Sequence, residues 1–195
     1  MSLTAPSARR CTWSLNGNER YLVYHDTEWG VPARDDRTQF EFLVLEGAQA
    51  GLSWSTILNK REGYREAFAG FDPERIARFG KRDVTRLMNN PGIVRNRLKI
   101  ESTISNAKAF LDFKGSQSFA NYMWSFVGGK PIQNNIKEHA QVPATSKESD
   151  ALSKDLKKRG FRFVGTTIIY AHMQATGMVN DHLTSCFRHK ECKAM

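Results

Sequence analysis

Between residues 37 and 49 the chain carries Phe40, Phe42, Leu43, Val44 and Leu45, apolar on nearly every side of a helical wheel. Such a helix has no face to give to water and has to be wrapped by other elements. The rest of the chain supplies wrapping of the same kind. Gly51 ends the first helix, and Ser53 is placed to cap a second over 53–68. Asp72-Pro73 opens a short helix over 72–79, with proline at its first position. Further helices are expected over 82–88, 93–113, 118–127, 149–159 and 166–176, and 130–143 reads as a polar loop. No strand-length alternation and no internal repeat occur, so the expected fold is all-α.

The chain of 195 residues suits one domain. Residues 1–9 read as a disordered tail without the apolar run of a signal peptide, 10–188 as a single domain of two helical lobes, and 189–195 as a C-terminal tail. No stretch approaches the roughly 20 apolar residues of a membrane helix, so no membrane partner is expected and the chain reads as a cytoplasmic monomer. Lys and Arg exceed Asp and Glu to leave a net charge of +9, which favours polyanionic partners without identifying one. Aromatic residues, 11% of the chain, offer stacking surfaces for bases, although most aromatics serve a core.

Three features go beyond a structural bundle. Glu46 interrupts the most apolar helix, so its carboxylate is either an ion-pair partner in the core or the polar group of a cavity. A second feature is the set Tyr21, Tyr24, Trp29 and Trp54, the last eight positions after Glu46, which makes either ordinary core or a slot for a flat, electron-poor ring. The turn Asn89-Asn-Pro-Gly92 joins two expected helices, with Arg95, Arg97 and Lys99 directly after it. Backbone N–H groups at a helix start and these cations suit a phosphate, in the manner of a helix-hairpin-helix, though Pro-Gly turns between helices are common. Cysteine usage gives no disulfide framework: Cys11, Cys186 and Cys192 are an odd set. Cys11 with His25, and His182 with Cys186, offer two sulfurs and two imidazoles from opposite ends of the chain, either incidental pairs or one closed metal site.

Taken together, Arg10-Cys-Thr-Trp13, Tyr24-His-Asp-Thr-Glu-Trp-Gly-Val-Pro32, Leu45-Glu-Gly-Ala-Gln-Ala-Gly-Leu-Ser-Trp54, Lys157-Lys-Arg-Gly-Phe-Arg-Phe-Val-Gly-Thr-Thr167 and Val179-Asn-Asp-His182 resemble the bacterial 3-methyladenine DNA glycosylase I family, over about residues 10–187. The resemblance implies a helical bundle of the helix-hairpin-helix glycosylase type whose terminal segments are clamped by one structural zinc ion, with Cys11, His25, His182 and Cys186 as ligands. It implies a base pocket of Glu46, Tyr21, Tyr24 and Trp54, with Glu46 as the catalytic group, and a DNA-probing loop at Ala50, Gly51 and Leu52. The implied activity is hydrolytic release of 3-methyladenine from alkylated double-stranded DNA, without strand cleavage, the nucleotide being flipped out of the stack. Gly92, Arg95, Arg97 and Lys99 are then the expected contacts to the DNA backbone. A lesion-binding protein without catalysis and a zinc-clamped general DNA binder are the two competing readings, and base release separates them from the enzyme.

Overall fold

The computed structural model describes residues 8–15, 18–113 and 117–195; residues 1–7 of the expected tail lie outside the described residues. Helix α3 (Asp36–Gln49) is the central element, with nine of its 14 residues buried and Asp35 capping its start by accepting from the Thr38 N–H. It packs against α4 (Trp54–Ala67), α7 (Arg97–Phe113), α8 (Phe119–Ser125) and α10 (Thr166–Ala175), the last also covered by α9 (Lys147–Lys158). Phe40, Phe68, Phe71, Phe119, Leu43 and Leu45 are almost wholly withdrawn from water in this core. At about 25 cal/mol per Å² of apolar surface, burying side chains of this size is the main term stabilising the bundle.

Local chemistry sets the element ends. Ser53 caps α4 and Asp72 caps α5 (Pro73–Ile76), each accepting from backbone N–H groups one turn on. Helix α6 (Lys81–Met88) follows. The expected helix over 93–113 begins only at Arg97, because the Asn96 side chain accepts from the Lys99 N–H and residues 89–96 stay in a turn clipped to α4. Lys60 Nζ donates to Pro91 O at 2.6 Å, and the Val94 N–H donates to Tyr64 Oη at 3.2 Å. Gly63 lies so close to this turn that a Cβ there would meet Gly92 O at 2.3 Å, so only glycine permits the approach.

Elsewhere the sequence expectation is refined. The loop over 130–143 contains β1 (Ile132–Gln133), which pairs in parallel with β2 (Val179–Asn180), and a 3-10 turn at His139–Gln141. Ser146 caps α9, so that helix starts at Lys147, before the expected residue 149. The expected tail from residue 189 is instead part of α11 (Phe187–Lys193), with Arg188, His189 and Cys192 buried. His189 Nε2 lies 3.0 Å from Asn134 O, which docks this helix on the segment leading out of β1. Two short helices at the other end, α1 (Thr12–Leu15) and α2 (Glu19–Thr27), complete the element order and carry aromatic residues to the site.

Candidate active site and metal centre

Helix α2, capped by Asn18, holds Tyr21 half-buried against Trp13 and turns Tyr24 inward toward the first turn of α4, where the Tyr24 ring meets that of Trp54 with centroids 5.4 Å apart. Helix α3 brings Glu46 and Gln49 to the same place, and α10 adds Ala171 and Gln174. Together with Trp13, Trp29, His139 and Val142 these side chains line a cavity of about 290 Å³. That volume lies at the small end for ligand sites and suits a single ring system.

Glu46 is 4% exposed, and no described residue gives it a hydrogen bond or an ion-pair partner. Burial alone pushes its carboxyl up from 4.5 to about 8. Of the two alternatives open from the sequence, core ion pair or pocket group, the geometry selects the second. Burial, with Glu46 as a lesser cause, also raises the Tyr21 and Tyr24 hydroxyls, so both stay protonated near neutrality. The indole N–H of Trp54 is buried without an acceptor, a second unspent polar group in the wall. The cavity therefore combines aromatic faces with one acceptor or acid, which suits a flat heterocycle with a hydrogen-bonding edge.

Sequence reasoning missed Gln49, His139, Val142, Ala171 and Gln174. His139 and Val142 come from a polar loop with no periodicity to mark them, and Gln174 is identified only once α10 is docked. Its amide is fixed by donation to Asp181 Oδ2 at 2.8 Å, and that buried carboxylate also accepts from Tyr170 and Asn134.

The four candidate metal ligands do meet. Cys11 Sγ, His182 Nδ1, Cys186 Sγ and a ring nitrogen of His25 all lie within 4.8 Å of one another, and all four residues are buried. Cys11 Sγ is 3.6 Å from His182 Nδ1, and Cys186 Sγ is 3.5 Å from His25 Nε2 and 3.7 Å from His182 Nδ1. The other ring nitrogens are already held, His25 Nδ1 by Asp26 Oδ1 at 2.8 Å and His182 Nε2 by Trp29 O at 3.0 Å, which orients both imidazoles toward the cluster. Hydrogen bonding within the cluster, first from Cys11 and then from the two imidazoles, holds the Cys186 thiol far below its ordinary range. This group can hold a metal ion. It also buttresses the pocket: Trp13 packs edge-on against His25 with centroids 5.2 Å apart, and Trp29 against His182 at 4.5 Å.

Among the expected DNA contacts, Gly51 and Leu52 are exposed beside the pocket, with Leu52 at 42%. Arg95 and Arg97 are exposed at the start of α7, and Gly92 is half-buried in the turn before it. Lys99 is a correction. Its side chain is buried and Nζ donates to Ala48 O at 2.7 Å and Ala50 O at 2.6 Å, so its charge is turned into the protein and is not available to a phosphate.

The model of the methyladenine glycosylase family matches residues 13–189. This chain belongs to that family. It is 48% identical to the DNA-3-methyladenine glycosylase 1 of Escherichia coli K12 over 178 residues, 91% of this chain and 95% of the relative. It is 49% identical to the DNA-3-methyladenine glycosylase of Haemophilus influenzae over 91% of this chain and 96% of that one. Among solved structures, a crystal structure of a 3-methyladenine DNA glycosylase I superposes with a TM-score of 0.90 at 53% identity, covering 92% of this chain and 98% of the other. A Staphylococcus aureus 3-methyladenine DNA glycosylase I, from a structure describing 3-methyladenine recognition, gives a TM-score of 0.88 at 37% identity over 91% and 95%. Among the described residues of this methyladenine glycosylase family member, no helix is long and apolar enough to cross a membrane.

Proposed function

We propose that this chain removes 3-methyladenine from alkylated double-stranded DNA by hydrolysing the N-glycosidic bond, the first step of base-excision repair. The observation that carries the reading is Glu46, an unpartnered carboxyl buried in an aromatic cavity, in a chain of the methyladenine glycosylase family. Alkylation at N3 makes the attached base a cation and a good leaving group. The C1′–N9 bond breaks with its electron pair going to the base, and water adds to C1′ with loss of a proton. The protein's larger task is therefore to extrude the nucleotide and to prefer a cationic base over neutral adenine.

Glu46 is the catalytic group in this proposal because it touches the reacting base. With a cationic ring beside it the carboxyl gives up its proton and becomes the counter-ion, accepting from the exocyclic amine. Trp54 and Tyr24 supply the stacking faces, and Tyr21 closes the side. Normal adenine brings no charge to offset an ionised, desolvated carboxylate. Leu52, on the loop with Gly51, occupies the gap left in the stack, and the turn at Gly92 with Arg95 and Arg97 holds backbone phosphate as a helix-hairpin-helix.

The metal is proposed to be one structural zinc ion. Bond lengths of about 2.3 Å to sulfur and 2.0–2.1 Å to nitrogen at tetrahedral angles separate S and N by roughly 3.5 Å, which fits the 3.5 to 3.7 Å gaps observed. Zinc held by Cys11, His25, His182 and Cys186 has no open position, so it ties the chain ends together and takes no part in hydrolysis. A monomer acting in the cytoplasm belongs to the same proposal.

Mass spectrometry of free bases from methylated duplex DNA, with unmodified duplex beside it, tests the activity. Release of 3-methyladenine from the first alone is expected. Selective binding of lesion DNA by folded, metal-loaded protein without any release would replace the enzyme with a lesion-recognition protein.

A further inference from the structure

The C-terminal turn of α3 leaves carbonyls without partners in its own helix, as every helix end does. Here two of them, Ala48 O and Ala50 O, are taken by one buried ammonium, that of Lys99. Ala48 is two residues beyond Glu46, and Ala50 is the first residue of the segment whose tip is Leu52. That segment turns sharply at Gly51, where φ is +76°, and the Leu52 N–H closes the turn by donating to Gln49 O at 2.6 Å. A cavity of about 190 Å³ shares Glu46, Gln49 and Ala171 with the base pocket and extends to Gly51 and Leu52, so the loop and the pocket are one continuous surface. At its other end Lys99 belongs to the first turn of α7, its own N–H held by Asn96 from the turn that α4 clips in place.

We propose that Lys99 is a positioning residue for nucleotide extrusion: by clamping the last carbonyls of the Glu46 helix from the first turn of α7, it fixes the spacing between the Gly51–Leu52 probe and the Gly92–Arg97 segment. The inference rests on the glycosylase reading above. One lysine thus joins the element that holds phosphate to the element that fills the gap in the stack. Burial alone raises the Glu46 carboxyl, with no contribution from a nearby cation, so Lys99 acts on the pocket by placement and not by charge.

Three readings separate this from a general structural role: single-turnover release of 3-methyladenine from methylated duplex, the Kd of free 3-methyladenine from quenching of tryptophan fluorescence, and the pH midpoint of release. Lys99→Met is expected to slow release from duplex at least tenfold, to leave the free-base Kd within about twofold, and to leave the pH midpoint in place. Lys99→Arg, which keeps two donors, is expected to recover at least half of the rate. In a Leu52→Ala background, where the probe is gone, Lys99→Met is expected to add little further loss. Unchanged release from duplex, or a parallel loss of free-base affinity, overturns the proposal, as does full additivity with Leu52→Ala. Should Lys99→Met not fold, Lys99→Gln, which is neutral and one bond shorter, is read against the same criteria. Absence of release by the unmodified chain would instead refute the glycosylase reading itself.

Discussion

Glu46→Gln separates stability from function at this pocket, and the separation has a pH signature. A carboxyl whose pKa is raised on folding holds its proton more tightly in the folded than in the unfolded state. Stability is therefore whole below the unfolded value near 4.5, and it is lost as pH rises toward the folded value of about 8. At 1.36 kcal/mol per pH unit, the native chain loses about 3 kcal/mol by pH 7 and about 5 kcal/mol above pH 8. A glutamine has no charge to desolvate, and its unpaired amide costs about 1–2 kcal/mol at every pH. The variant is expected to be no more stable than the native chain at pH 5 and more stable at pH 9, the gap widening by about 4 kcal/mol. In a chain of this size that is roughly 10 °C in Tm. Urea unfolding of both proteins at half-unit steps from pH 5 to 9 measures it, and the metal cluster, common to both, cancels in the difference. A stability difference that stays constant across this range would refute the claim that Glu46 is desolvated and unpartnered. The same variant is expected to lose most of its affinity for a cationic base, so the more stable protein is the poorer enzyme.

The remaining expectations concern rate, metal and backbone. Because free enzyme carries Glu46 protonated below about pH 8, kcat/KM on methylated duplex is expected to climb about tenfold per unit toward that pH and level off above it; a flat profile from pH 6 to 9 would remove the carboxylate from the essential step. Zinc released by a strong chelator is expected at one equivalent per chain, measured colorimetrically, with Tm falling and with activity retained in whatever protein stays folded at low temperature; a folded metal-free protein without activity would contradict a purely structural ion. Gly63→Ala forces the α4 backbone away from Gly92 and is expected to cost more than about 2 kcal/mol in urea unfolding, while weakening binding of undamaged duplex several-fold; an unperturbed Tm would mean the turn moves freely.

The helices were legible wherever apolar spacing and a capping side chain agreed, as at Ser53 with α4 and Asp72-Pro73 with α5, and α3 was legible from its apolar residues alone, its Asp35 cap emerging only in the structure. Glu46 was legible for the opposite reason, since a charge in an otherwise apolar helix violates the pattern that forms it. The ends of α7 and α11 were not. Asn96 stops the helix by offering its side chain to a backbone N–H, and the polar sequence of residues 189–195 hides how deeply His189 and Cys192 are buried. Lys99 marks the limit of reading charge from sequence: Arg95, Arg97 and Lys99 look alike in the chain, but the helical turn that begins at Arg97 points the lysine back at α3. The pocket's far wall, from His139 to Gln174, required tertiary packing and had no local signal.

The buttressing of Trp13 and Trp29 by the Cys–His cluster has a consequence for how the site comes into being. Cys11 and His182 are 171 positions apart, so the wall bearing Trp13, Tyr21 and Trp29 is anchored by residues that a ribosome adds long after the wall itself. Helices α3, α4 and α7 can collapse on one another well before that point through short-range contacts. The cavity beside Glu46 therefore stays open-sided in the nascent chain, and a product truncated before Cys186 holds most of the core but no finished place for a base.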